Sequence, residues 1–399
     1  MTIADAIAVP QGTAQDRIAE TIGEFIALRQ ELHHHPELAF REQRTATRIA
    51  ALLEGWGYNI TRLAGTGVIG TLRNGPGRAL AIRADIDALP IHEATGLPFA
   101  SNVPGVMHAC GHDGHTAILL AAARYLAETR RFHGSLHVIF QPAEEVGQGA
   151  RRLISEGLFD LFPVDAIFGL HNWPGVEAGR FGFISGPAMA AIDRVDFRVR
   201  GKGGHGAAPH EAVDPVVAAA QAITALQSVV SRNVNPLEAA VVTVGSIHGG
   251  TASNVIPDSV DMQLTLRSFS SPTREVLARR VPALLSGIVE ALGAEAVVDF
   301  RPGFPPVVNH AAEVSFARDV ARAALGEDAV LPALAPRTAS EDFAWYLAER
   351  PGAFLFLGNG EGAPLHSPEY RFNDAIILPG ATLWAELAER FLTHPGANQ

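Results

Sequence analysis

The chain of 399 residues has one cysteine, Cys110, so no intrachain disulfide can form and a reducing compartment is expected. Charged residues are sparse at 18%, and 31 Lys and Arg against 42 Asp and Glu leave a formal charge of −11. That balance argues against a nucleic-acid backbone as the partner. The longest apolar runs, such as Ala117–Ala123, fall well short of the ~18 residues of a membrane span. The N-terminus has no basic residue before Arg17 and no long apolar stretch, so no signal peptide is expected. Internal repeats and low-complexity segments are missing too. What remains is 47% apolar and suits a soluble cytoplasmic protein of two domains, at ~100–200 residues per domain.

Apolar residues recur at three- and four-residue spacing from Arg17 to Gly55, with a break at Pro36, which predicts helix. Short apolar strands follow at Val68–Leu72, Ala79–Ile82, Leu136–Phe140 and Ala166–Leu170, with helices at Thr116–Leu126 and Ala150–Glu156. This alternation predicts an α/β domain built on a mainly parallel sheet covered on both faces. After Gly186 the order changes to strand Asp193–Arg200, helix Pro215–Val230, strands Ala239–Ile247 and Val260–Phe269, helix Arg274–Leu292 and strand Ala296–Arg301. That βαββαβ order predicts an inserted ferredoxin-like domain. Beyond Pro302 the first pattern returns, with helices at Val314–Leu325 and near Glu341–Ala348, a strand at Phe354–Leu357 and a terminal helix from Ala381. The expected boundaries are 1–190 and 303–399 for the two parts of a catalytic domain and 191–302 for the insertion.

In an open α/β sheet, ligands bind beyond the carboxyl ends of the strands. Asp85 and Asp87 follow the strand ending near Ile82, Glu144 and Glu145 follow Phe140, His171 follows Leu170, and His366 lies in the loop after Leu357. The cluster MHACGHDGH, from Met107 to His115, precedes a helix. Cys110 and His112, two residues apart on a bent loop, can point at one ion. Thiolate, imidazole and carboxylate together suit Zn²⁺, Mn²⁺, Co²⁺ or Ni²⁺ better than Ca²⁺ or Mg²⁺. The plainer reading makes Cys110 a small buried hydrophobe and each lone His or Glu a solvated loop residue. Neighbouring glutamates on a non-helical loop point in different directions, so one of Glu144 and Glu145 can bind metal while the other serves as general base. The triple histidine His33–His35, on the first helical segment, reads as surface or helix-end packing.

Nine segments carry a resemblance: RQELHHHPEL (29–38), RADIDALPI (83–91), MHACGHDGHTA (107–117), FQPAEE (140–145), GLHNWP (169–174), GKGGHGAAPH (201–210), SNVIPD (253–258), SEDFAWY (340–346) and LHSPEY (365–370). In this order the chain resembles the metal-dependent aminoacylase/carboxypeptidase family of amidohydrolases, in the branch of hippurate hydrolases and plant auxin-conjugate hydrolases. The resemblance implies two divalent metal ions per subunit (Mn, Zn, Co or Ni) held by Cys110, His112, Glu145, His171 and His366. Whether Cys110 or Glu145 bridges is left open. Glu144 would be the general base, Asp85 and Asp87 would orient the ligands, and His108, Asp113 and His115 would buttress the loop.

On the inserted domain the resemblance implies that His205 and Asn254 reach the substrate, often in the active site of a dimer partner, with His205 donating to the oxyanion. Arg267, on the following strand, is a candidate clamp for a substrate carboxylate. The implied reaction is hydrolysis of the amide bond of small N-acyl amino acids. The insertion would act as lid and dimerisation domain of a homodimer or higher homo-oligomer. The acyl group and amino acid are encoded in no motif. Alternatives on the same fold are a dipeptidase or carboxypeptidase-type enzyme and an amidohydrolase of ureido compounds. Two others are a thiol hydrolase with Cys110 as nucleophile and a non-catalytic binding protein, against which Glu144 beside a full ligand set argues.

Overall fold

The apolar segments after Gly55 meet in a seven-stranded sheet. Across it run Asn59–Leu63, Gly67–Asn74, Gly134–Gln141, Ala79–Asp85, Ala166–Pro174, Gly352–Gly360 and Phe181–Gly182. The computed structural model describes residues 12–393, so most of the stretch read for a signal peptide lies outside the described residues. The four central strands are parallel, and the three outer ones join antiparallel. The central four are buried almost end to end, as strands covered on both faces must be.

Helix Ala14–His34 begins at a capping box, in which Asp16 N–H donates to Thr13 Oγ1 (3.2 Å) and Thr13 N–H to Asp16 Oδ2 (3.1 Å). Its buried side carries Ile18, Phe25, Leu28 and Leu32 and packs on helix His112–Thr129. That second helix is buried all round from Ala117 to Ala123, and the terminal helix Ile377–Thr393 packs against both. None of the helices among the described residues is long and apolar enough to cross a membrane.

Three elements reach further than their apolar patterns. The strand expected to end near Ile82 runs to Asp85, and the one expected to end at Leu170 runs to Pro174. Backbone pairing continues past the apolar residues, with Asp85 opposite Gln141 and His171 opposite Phe356. The helix expected from Thr116 starts at His112, because Gly111 adopts φ +88° and turns the loop directly into the helix.

The described residues form two compact units. The first takes the described residues up to Gly186, Asn309–Ala335 and those from Trp345 on; the second takes Pro187–Val308 and Pro336–Ala344. The second unit holds a four-stranded antiparallel sheet in the order Ala240–His248, Ser259–Ser268, Ala191–Arg200 and Glu295–Pro302. Helices Pro215–Asn233 and Ser271–Ala291 cover it, closing a core around Val195, Phe197, Leu226, Leu264, Val281 and Leu285. Asp214 caps the first of these helices through Val216 N–H (2.8 Å), with Pro215 at its first turn. Pro336–Ala344 joins this unit through Ala190 N–H, which donates to the carbonyls of Arg337 (3.1 Å) and Ala339 (3.0 Å).

Candidate metal centre and its supporting residues

The loop after Ala79–Asp85 places Asp87 against the turn that follows strand Gly134–Gln141. Asp87 Oδ1 accepts the N–H of Glu144 and Oδ2 that of Glu145, both at 3.0 Å. The two glutamates are thus set by one carboxylate, and both are largely buried. Ala143, just before them, has φ +57°.

Two histidines are fixed in the same tautomer by backbone carbonyls. His112 Nδ1 donates to the carbonyl of Asp87 (2.9 Å), and His171 Nδ1 to that of Asn172 (2.6 Å). A carbonyl can only accept, so Nδ1 of each ring carries a proton and Nε2 is the atom left to face the other donors. His171 Nε2 lies 3.3 Å from Cys110 Sγ. His112 Nε2 has no hydrogen-bond partner among the described residues and stands 3.9 Å from Glu145 Oε1, which has none either. Glu145 Oε2 lies 3.4 Å from His366 Nε2. His366, at φ +64°, is the most exposed of the set, and its N–H donates to Ala109 O (2.9 Å), which ties it to the Cys110 loop.

Five overlapping groups of donors form among the described residues, two of them around Cys110, with His112 and His171 and with Glu145 and His366; Asp85 joins His112 and His115, and Glu144 joins both His112 with Glu145 and Glu341 with Asp342. Ligating atoms within each group lie within 4.8 Å of one another. Two imidazole Nε2 atoms, a thiol and an unpartnered buried carboxylate oxygen fit a divalent cation of the borderline class. The electrostatics point the same way. Burial disfavours a charge on His112, yet the carboxylates of Asp85, Asp87 and Glu145 lift its pKa to about 10. Burial pushes the Cys110 thiol up, and the charges of Glu145, Glu144 and Asp85 push it further. The pocket is rich in negative charge and in want of a cation.

Asp85 lies outside the two groups around Cys110, with Oδ2 3.7 Å from His112 Nε2. Its Oδ2 accepts from Arg83 Nη1 (2.7 Å), and its Oδ1 accepts from His115 Nδ1 (2.6 Å). Burial alone would raise the Asp85 pKa, but the charges of His112, Arg83 and His115 hold it well below the usual carboxylate range. His115 is fully engaged, because its Nε2 accepts the backbone N–H of Asn172 (3.0 Å). The Asn172 amide donates to Cys110 O (2.7 Å), and its oxygen accepts from Tyr370 Oη (2.6 Å). A continuous buried chain therefore runs Tyr370–Asn172–His115–Asp85–Arg83, and Arg83 Nε continues it to Gln141 Oε1 (2.9 Å). Asn172 and Tyr370 carried no signal of their own in the sequence beyond lying in the GLHNWP and LHSPEY segments.

Of the two readings of His33–His35, surface or helix-end packing, the second holds for His33, which is buried in the last turn of its helix. Its Nδ1 bonds Asp113 Oδ2 (2.9 Å) and its Nε2 bonds Glu93 Oε1 (3.2 Å), while Arg29 Nη1 reaches the same Asp113 oxygen (3.3 Å). Burial would lower the His33 pKa, but bonds to Asp113 and Glu93 raise it to about 9. Phe25, Arg29 and His33 stand four residues apart on the buried face of one helix, which is the pattern that could have located it. His108 is buried with neither ring nitrogen bonded among the described residues, and burial lowers its pKa to about 4.

In the second unit, His205 and Asn254 meet on a two-stranded ribbon, Gly204–His205 against Val255–Ile256. His205 is opposite Val255, and Gly206 N–H donates to Asn254 O (2.8 Å). His205 Nδ1 accepts from Ala207 N–H (3.0 Å), so the neutral ring carries its proton on an exposed Nε2. Arg267 lies on the four-stranded sheet instead. Its Nη1 donates to Ser340 Oγ (2.6 Å) and Thr338 O (3.2 Å).

Comparison with known proteins adds the lineage. An N-acetyl-L-cysteine deacetylase from Bacillus subtilis is 43% identical over 372 residues, covering 92% of this chain and 88% of that protein. A hippurate hydrolase from Campylobacter jejuni is 40% identical over 377 residues, covering 94% and 98%. Among solved structures, a dinuclear metal binding peptidase of the M20 family from Bacillus subtilis superposes with a TM-score of 0.82 at 36% identity, covering 94% of this chain and 99% of that one. The sequence model of peptidase family M20/M25/M40 matches residues 81–390, a span that holds Asp85, the Cys110 loop, both glutamates, His171 and His366. From the first central strand to the terminal helix, this chain belongs to peptidase family M20/M25/M40.

Proposed function

We propose that the protein is a metal-dependent amidohydrolase that cleaves the amide bond of N-acyl amino acids, hippurate-like or N-acetyl, to a carboxylic acid and a free amino acid. The observation that carries this reading is the pair of buried Nε2 atoms on His112 and His171, each ring fixed through Nδ1 by a backbone carbonyl, beside Cys110 and Glu145. Two divalent ions, of Mn, Zn, Co or Ni, would be held by Cys110, His112, Glu145, His171 and His366. Cys110 and Glu145 each belong to two of the donor groups, so either would serve as the ligand shared between the ions. When bound, the ions supply positive charge that polarises the scissile carbonyl and acidifies water.

The chain's own groups do the rest. Glu144, held by Asp87, takes a proton from the attacking water as its oxygen bonds to the acyl carbon. It returns a proton to the amide nitrogen as the carbon–nitrogen bond breaks. His205 donates from Nε2 to the developing oxyanion, within its own chain or across a homodimer. Asn254, beside it on the ribbon, contacts the substrate, and Arg267 reads the substrate carboxylate. Asp85 and Asp87 orient the ligands.

The domain reading is 1–190 with 303–399 for the catalytic part and 191–302 for a ferredoxin-like lid and dimerisation domain. The element order and the open edge strand Ala240–His248 support it. A single buried cysteine supports a reducing, cytoplasmic setting.

The test is a panel of N-acetyl and N-benzoyl amino acids, dipeptides and N-carbamoyl amino acids. It is run on metal-stripped protein before and after each ion is restored. Hydrolysis of N-acyl amino acids that appears only with metal supports the reading. Turnover confined to dipeptides or N-carbamoyl compounds replaces the substrate class, and full activity without metal overturns the mechanism.

A further inference from the structure

Three consecutive amides, those of Ala143, Glu144 and Glu145, donate to carboxylates from two other parts of the chain. Asp87 takes the second and third. The first goes to Glu42 Oε1 at 3.0 Å, across a sequence separation of 101 residues. Glu42 is buried just before helix Gln43–Gly55, where Oε1 also accepts Phe40 N–H (3.0 Å) and Oε2 accepts the Thr66 hydroxyl (2.6 Å).

Ala143 needs such a hold. At φ +57° it is a non-glycine residue in the left-handed region, which costs about 1–2 kcal/mol and persists only where neighbours over-determine it. Gln148 and Gly149 N–H donate to its carbonyl, both at 3.2 Å, and Glu42 secures its N–H. If Ala143 relaxed, the peptide leading into Glu144 would turn and both glutamates would swing. Nor does Glu42 resemble a residue kept for packing. The three donors named above are two amides and a hydroxyl, and burial raises its pKa to about 7.

We propose that Glu42 is a positioning residue for the hydrolysis: by holding Ala143 in the left-handed conformation it aims the Glu144 carboxylate, without touching substrate or metal. This rests on the reading of Glu144 as general base. Small displacements of a catalytic group cost up to about 100-fold in rate, so Glu42→Ala is expected to lower kcat by about 10–100-fold. KM and metal stoichiometry should be nearly unchanged. Glu42→Gln, whose amide oxygen can still accept from Ala143, is expected within about threefold of the parent.

Amide hydrogen exchange supplies a readout that needs no substrate. Glu42→Ala should accelerate exchange at residues 143–145 and leave strand Gly134–Gln141 as in the parent. Should Glu42→Ala fail to fold, Glu42→Asp, one methylene shorter, carries the same measurements. Parental kcat together with parental exchange at 143–145 overturns the proposal. So does exchange that rises across the whole sheet with Glu42→Gln impaired as severely as Glu42→Ala, since that describes a fold residue. If the parent turns over no N-acyl amino acid, the amidohydrolase reading fails by itself, and local exchange still decides whether Glu42 holds the turn.

Discussion

The ring of His112 is anchored by the backbone of Asp87, whose carbonyl lies 2.9 Å from Nδ1. The same residue's carboxylate holds the amides of Glu144 and Glu145 at 3.0 Å. One aspartate therefore sets the direction of an imidazole and of the two glutamates together, which makes the division of labour between those glutamates testable.

Glu144→Gln should retain full metal stoichiometry and lose about 10²–10⁴-fold in kcat, the usual worth of a positioned general base. Metal analysis and initial rates on the same preparation check it. Loss of metal with this variant would transfer the ligand role from Glu145 to Glu144.

Cys110 should be a ligand and not a nucleophile. Its thiol is buried beside Glu145, Glu144 and Asp85, which hold the proton on sulfur until a cation arrives. Chelation is expected to abolish turnover, and iodoacetamide to label the stripped protein slowly. Activity that survives chelation and is lost on alkylation would establish Cys110 as the attacking group.

Stability should fall in mild alkali. His33 has a folded pKa of about 9 against an ordinary 6.5, so its contribution is fully present below pH 6.5 and is lost as pH rises through 9. The amount is on the order of 3 kcal/mol. Urea unfolding of the parent and of His33→Gln at pH 6, 8 and 10 should show the gap between them closing. A gap that stays constant would mean that His33 is not charged at neutral pH.

Gly111→Ala should damage both fold and centre. The position needs φ +88°, and a Cβ there would overlap Asn172 Nδ2 and Tyr370 Oη. Strain and overlap together should cost about 2–4 kcal/mol. Thermal melting and metal content are expected to fall together; a variant with parental values for both would show that the loop has room to shift.

Much of this was legible in the sequence. The apolar segments at Leu136–Phe140, Ala166–Leu170 and Phe354–Leu357 lie inside observed strands, because central strands of a covered sheet must be continuously apolar. The outer strand Asn59–Leu63 was not legible, since it is only half buried and carries Thr61 and Arg62. Cys110 and His112 stand out through their spacing and residue types. Glu42, Asn172 and Tyr370 do not: each acts through hydrogen bonds to backbone or side chains distant in sequence, and such partners leave no periodicity. The ion pairs of His33 were not legible, because a charged stripe on a buried helix face looks like a solvated one until its acidic partners are known.

Pairing between Ala166–Pro174 and Gly352–Gly360 has a consequence for synthesis. While the ribosome makes the intervening segment, one edge of a central strand waits without the neighbour it will finally have. At about 5–20 residues per second the wait is on the order of 10–40 s. His366 emerges later still, so a nascent chain can offer Cys110, His112 and His171 to a cation well before the donor set is complete. On the proposed ligand set, a chain stalled before His366 would hold an incomplete group of donors beside an exposed apolar edge.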